Sequence, residues 1–114
     1  HNTAAAIALR EYINTLNTPI NWVIGMLSTK AHRDIFQALL KPSDRLYLVP
    51  VPDHSSANVA ELASLARSIC PDLSLIDVFP DLTTGLTAAA TTPSTHQLVL
   101  CGSLYLLGHF LKLG

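Results

Sequence analysis

Apolar residues recur along this chain in two alternating rhythms, short unbroken runs and stripes spaced by three and four, and the alternation predicts strands and helices in turn. Asn2 can cap a helix through residue 16, in which Ala5, Ala6, Leu9, Ile13 and Leu16 form one stripe while Arg10, Glu11 and Asn14 face water. Pro19 stops its continuation. Residues 20–27, INWVIGML, read as a strand ending near Gly25, followed by the polar loop Ser28, Thr29 and Lys30. A helix over 31–40 places Ile35, Phe36, Leu39 and Leu40 on one side, and Pro42 marks its end. Residues 45–51, RLYLVPV, are a second strand. A third helix opens with Asn58 and Glu61 at capping-box spacing and buries Val59, Leu62, Ala63, Ala66 and Ile69. Residues 73–79 form the third strand. Pro80 and Asp81 start a helix with Leu82, Leu86 and Ala89 inward. The apolar run 97–101 is the fourth strand, and Gly102 and Ser103 break it before a helix carried by Leu104, Leu107, Gly108 and Leu111.

One helix followed by four β-then-α units predicts an α/β fold: a Rossmann-like, mainly parallel sheet of four strands between two helical layers. A helix without a strand before it is an unusual opening for a doubly wound domain, so a leading strand is expected to be missing. The 114 residues suit a single domain.

Composition changes the picture in three ways. The hydrophobic fraction of 49% beside 13% charged residues is apolar for a free-standing domain, where about a quarter charged is usual, so some apolar surface is expected to be covered by a partner. A net charge of −1 provides no field for a nucleic-acid backbone, which argues against nucleic acid as a partner. The apolar segment 98–113 is interrupted by Gly102, Ser103, Gly108, His109 and Lys112 and falls short of the ~20 residues of a spanning helix, so no membrane anchor is expected. Cys70 and Cys101 lack CxxC spacing and end apolar elements, which predicts reduced core thiols and a cytoplasmic setting. The chain opens on His1 without a signal sequence, as a fragment would.

Ligands of open parallel sheets sit at the C-terminal strand ends, where helix N-termini point N–H groups outward. Candidates there are Gly102, whose backbone can approach a ligand, and Ser103, a hydroxyl donor or a plain N-cap. Lys30 in the first strand's loop can pair with an anion or simply be solvated. His1 and Asn2 lie at the start of the first helix, where an imidazole is held neutral. His54, Ser55 and Ser56 read as loop and cap chemistry, because no fixed Asp completes a triad. The five histidines, His1, His32, His54, His96 and His109, show no HxH or HxxxH spacing, so no metal site is expected. Neither GxGxxG nor GxxxxGK[ST] occurs, so the chain cannot cradle a triphosphate alone.

Three segments carry a resemblance to a known family. HNTAAAIALREYI looks like the continuation of an Asp-Gly-Ala-His-Asn-Pro motif, with Thr3 in place of the proline. VIGMLSTKAHRDIFQALL, residues 23–40, is similar to a Gly-Met-Leu, Lys-Asp segment, with Ala31 where an acidic residue is frequent. GSLYLLGHFL, residues 102–111, looks like a closing Gly-Ser-Phe/Leu-Tyr-Leu-Val-Gly motif. Together they resemble the C-terminal domain of folylpolyglutamate synthase and dihydrofolate synthase, of the Mur ligase superfamily.

The resemblance implies one Mur ligase C-terminal domain over residues 1–114, inactive alone, with no catalytic residue and no metal ligand of its own. It closes a cleft against an N-terminal ATPase domain, which holds ATP and magnesium, and helps bind L-glutamate, folate and nucleotide through His1, Asn2, Lys30, Gly102 and Ser103. It also implies the strand order fourth, first, second, third, with an exposed edge beside Leu98 and Leu100 through which a fragment could self-associate. The competing reading is a non-enzymatic doubly wound ligand-binding or interaction domain. A receiver version would need an acidic cluster at the first strand's end, which the sequence lacks.

Overall fold

The computed structural model describes residues 3–52, 55–92 and 95–102. In chain order it contains α1 (Thr3–Asn14), β1 (Ile20–Gly25), α2 (His32–Leu39), β2 (Arg45–Leu48), α3 (Val59–Ile69), β3 (Leu75–Val78), α4 (Leu82–Thr91) and β4 (Gln97–Gly102). The helix expected over 103–113 lies outside the described residues. All three ladders are parallel, and the sheet order is β3-β2-β1-β4, the order the resemblance implied.

Two steps run outward from β1 to β2 and β3, and one long crossover returns past β1 to β4. Right-handed crossovers then require the outward helices on one face and the returning helix on the other. The core obeys this. Ile20, Trp22 and Ile24 of β1, with Leu46, Leu48 and Cys101, pack against residues of α1, α2 and α3. Val23, Tyr47 and Val49 pack on the opposite face against Leu82 and Ala89 of α4. β1 is buried at all six positions, as a central strand covered on both faces must be. β3 and β4 are more exposed, as the outer strands.

The first three strands are shorter than the apolar runs that predicted them, whereas β4 runs one residue further than expected, through Gly102, which pairs with Gly25 instead of breaking the strand. β2 ends at Leu48 because Pro50 has no N–H to continue a ladder, and β3 is bounded by its four-residue partner. Val49 N still donates to Ile24 O at 3.0 Å and Phe79 N to Leu48 O at 2.9 Å, so each run adds one further bond beyond its named strand. The predicted caps form: Asn58 accepts from Glu61 N at 3.0 Å, and Asp81 from Thr84 N at 2.8 Å.

α1 departs from expectation in three places, the first being Ala5, which is exposed and not in the buried stripe. The helix ends at Asn14, its last turn is closed by Thr15 N to Tyr12 O and Leu16 N to Ile13 O bonds, and Asn17 adopts φ 53°, the left-handed position that follows many helices. Leu16 is therefore 40% exposed instead of in the stripe. Arg10, expected in water, turns inward, because it lies four residues after Ala6 and three before Ile13, the two buried residues of α1. Its side chain is 15% exposed and lies 3.6 Å from the Asp44 carboxylate.

Candidate ligand crevice at the strand-end switch point

The order of the sheet reverses between β1 and β4, and in open parallel sheets the ligand crevice lies outside the C-terminal strand ends at such a point. Gly25 and Gly102 are Cα partners across the last rung of that pair. Two residues without Cβ atoms therefore floor the crevice, and backbone can approach a ligand there. Of the sequence candidates, Gly102 and the loop bearing Lys30 are placed at this point. His1, Asn2, His54 and Ser103 lie outside the described residues.

The rim is stiff. The loop after β1 pairs with the loop after β2 through an antiparallel bridge, Leu27 with Ser56. Ser28 N donates to Ser55 O at 2.9 Å and Ala57 N to Met26 O at 2.8 Å. Ser56 Oγ accepts from Val51 N and donates to Ala57 O, both at 3.0 Å, so Ser56 performs the loop chemistry expected of it. Lys30 is half-buried within this rim, with its N–H on Leu27 O at 3.3 Å and its carbonyl accepting from His32 N at 2.9 Å. His32 Nε2 stands 2.8 Å from Leu27 O. A carbonyl only accepts, so Nε2 carries the proton. Ala31, at the N-cap of α2, makes no side-chain capping bond, which leaves the first-turn N–H groups of α2 without a side-chain acceptor from that residue.

A recess of about 240 Å³ opens behind the rim, lined by Ser28, His32, Ala57, Asn58, Glu61, Leu62 and Leu65. Two larger recesses, of about 330 and 500 Å³, lie at the strands' entering ends and beside the C-terminus of α3, away from the crevice. Next to Gly102, burial pushes the Cys101 thiol up to about 12, which keeps it protonated and makes it a packing residue instead of a nucleophile. Burial also raises the Cys70 thiol. Among the described residues no group of three His, Cys, Asp or Glu stands close enough to hold a metal ion, and no helix is long and apolar enough to cross a membrane.

Sequence reasoning passed over Gly25 as a crevice residue, His32 as a rim residue and Asp44 altogether. Gly25 had a usable signal, a glycine at the end of a buried run. Asp44 had none, because its role depends on Ile20 and Trp22, more than twenty residues away.

An open parallel sheet with reversed order, helices on both faces and two glycines paired at the switch point defines a doubly wound α/β domain. The chain belongs to the dihydrofolate synthetase C-terminal domain family, whose model matches residues 1–113. Solved structures share the fold. Folylpolyglutamate synthase from Thermotoga maritima is 24% identical, with a TM-score of 0.77 over 98% of this chain and 25% of its own. The Mycobacterium tuberculosis folylpolyglutamate synthase complexed with ADP is 20% identical, with a TM-score of 0.80 over 99% of this chain and 28% of its own. A bifunctional folylpolyglutamate synthase/dihydrofolate synthase from Yersinia pestis, complexed with AMPPNP and a Mn ion, is 24% identical, with a TM-score of 0.76 over 99% and 26%. The chain thus spans about a quarter of the length of each. A comparison with curated proteins gives no match.

Proposed function

We propose that residues 1–114 form the C-terminal domain of a cytoplasmic, ATP-dependent folate:L-glutamate ligase, closing the cleft over reactants held mainly by an N-terminal ATPase domain. The observation that carries this reading is the family match along residues 1–113, combined with a glycine-floored crevice at the switch point. In the proposed reaction a folate carboxylate takes the γ-phosphoryl group of ATP, releasing ADP. The neutral amine of glutamate attacks the acyl phosphate carbonyl, and the tetrahedral adduct expels phosphate as the amide forms and the nitrogen gives up one proton. Two anionic reactants must be brought together, and that requires neutralising charge and fixed orientation more than a nucleophile from the protein.

This chain's share follows from that need. Gly25 and Gly102 admit the backbone's N–H groups close to a ligand, and the ammonium of Lys30 supplies positive charge at the stiff rim. His1, Asn2 and Ser103 are the further binding residues of the proposal. The described residues offer no set of metal ligands, so no step is assigned to a metal held here.

The test is ATP-dependent addition of glutamate to a reduced folate by the full-length protein. Lys30→Ala and Ser103→Ala are expected to raise KM for an anionic reactant by about tenfold, the value of one lost charge-assisted hydrogen bond, and the 114-residue chain alone should be inactive. Full-length protein that hydrolyses or transfers nothing from ATP in the presence of folate and glutamate refutes the reading.

A further inference from the structure

We infer that Arg10 and Asp44 are positioning residues that fix α1 along the sheet, and so set how far its N-terminal end reaches toward the strand-end crevice. What that end does there rests on the function proposed above. The placement itself rests on the geometry that follows.

α1 joins β1 through residues 15–19, so its C-terminal half lies at the entering ends of the strands. There Ile13, Asn14 and Asn17 share a recess with Lys41, Pro42, Ser43 and Asp44. Thr3 lies seven residues up the helix from Arg10, about 10 Å at the helical rise, and β1 covers about 20 Å. A shift of α1 along its axis at Arg10 is therefore delivered to its first turn, which follows His1 and Asn2 in the chain.

The apolar hold on α1 resists such a shift poorly. Its fully buried residues are Ala6 and Ile13, and Ile7 and Tyr12 are 48% and 64% exposed. Alanine offers little relief for interlocking with a neighbour, so packing alone leaves the axial position weakly specified.

Asp44 supplies a fixed post. It is 2% exposed. Its Oδ1 accepts from Ile20 N at 2.9 Å, and its Oδ2 from Trp22 Nε1 at 2.9 Å and Lys41 N at 3.2 Å. Its backbone is tied as well, the N–H to Lys41 O at 3.1 Å and the carbonyl to Ser74 N at 2.8 Å. The carboxylate is thus anchored to β1 and to Lys41 before β2, and the Asp44 backbone to the entry of β3, before α1 is considered. Arg10 NH1 reaches this post at 3.6 Å and also donates to Leu39 O, the end of α2, at 3.3 Å. Its Nε is buried with no partner. A guanidinium that leaves one donor unsatisfied while holding a carboxylate and a helix-end carbonyl is placed by its tether and not by its own full solvation. Both residues lie at the end of the sheet opposite the crevice, so any effect on ligands passes through α1.

The experiment uses the full-length protein with Arg10→Met, which keeps the apolar stem and removes the charge, Arg10→Lys, and Glu11→Gln as a control on the exposed face of α1. Two readouts are taken: hydrogen exchange of the α1 and β1 amides, and glutamate-ligation kinetics. In Arg10→Met the amides of residues 4–9 should exchange about tenfold faster while those of Trp22, Val23 and Ile24 keep their protection. KM for glutamate or nucleotide should rise about tenfold with kcat changed less than about twofold, as a misplaced binding group predicts. Arg10→Lys should restore part of both, and Glu11→Gln should change neither. Unchanged exchange in α1, or faster exchange with unchanged KM, overturns the inference. If the wild-type protein shows no glutamate ligation, the proposed function fails, and the exchange result still decides whether Arg10 holds α1.

Discussion

Replacing Asp44 by alanine removes the acceptor around which the entering ends of the strands are organised, and its cost can be worked from the structure. Ile20 N and Trp22 Nε1 are buried donors that lose their partner at 2.9 Å each, and a buried donor left unsatisfied costs about 1–3 kcal/mol. Lys41 is exposed, so its N–H regains water at little cost. Arg10, 15% exposed, loses its counter-charge but is reached by solvent at the recess, which adds about 1 kcal/mol. Against this, the mutation relieves the desolvation of one carboxylate. A net loss of about 3–4 kcal/mol results, a large share of the ~5–15 kcal/mol typical of a domain. Trp22 is the chain's one tryptophan, so its fluorescence reports unfolding from within the perturbed site. With a urea slope of about 1–3 kcal/mol/M, the midpoint should fall by about 1–4 M. Asp44→Asn, which keeps one acceptor but turns an NH₂ toward other donors, should lose roughly half as much. A midpoint shift for Asp44→Ala below about 0.3 M would refute the claim that this carboxylate holds the strand entries together.

Four further outcomes are expected. At pH 8 the thiolate fraction of a thiol titrating at about 12 is about a thousandfold below that of one at 9.0, so Cys101 should resist alkylation by at least that factor until the chain unfolds. Because its folded pKa is raised, the linked stability is whole below pH 9.0 and declines between 9.0 and about 12 as the unfolded thiol ionises first, by up to about 1.4 kcal/mol per pH unit; Cys101→Ala should flatten the alkaline slope by that amount in urea titrations. A Cβ at Gly85 would run into Val49 Cγ1 and stand 3.6 Å from Phe79 Cβ. Gly85→Ala should therefore destabilise by about 1 kcal/mol despite alanine's helix preference, and a Gly85→Ala/Val49→Ala double-mutant cycle should show positive coupling; additive losses would remove the contact as the cause. β4 pairs with β1 and has no described strand on its other side, with Leu98 and Leu100 half-buried beside that edge, so sedimentation of the 114-residue chain at rising concentration should show dimers or larger species, and a monomer throughout would count against strand-edge pairing.

The strand-and-helix alternation was legible because each element writes its burial into a local period. Ile35, Phe36, Leu39 and Leu40 were expected on the buried side of α2, and all four are buried. Asn58 and Asp81 were readable as helix starts because a cap acts on an N–H three residues away. Arg10 was misread for a local reason: a long cationic side chain in an apolar stripe looks like a break in the stripe until a carboxylate is found for it. The candidate crevice was half legible. Lys30 and Gly102 could be placed at strand ends, but that those two ends adjoin follows from the pairing of β1 with β4.

By itself the sequence determined the fold class, the order of elements along the chain, and the caps at Asn58 and Asp81, since all of these depend on neighbours within one or two helical turns or on the handedness of a crossover. Tertiary structure alone decided that Gly25 meets Gly102 across the switch point, that the loops of β1 and β2 are laced into one rim, and that Asp44 is the buried post for Ile20, Trp22 and Arg10. Each of these is a pairing between residues more than twenty positions apart, and a buried polar group reveals its purpose only when the partner that offsets its desolvation is in place.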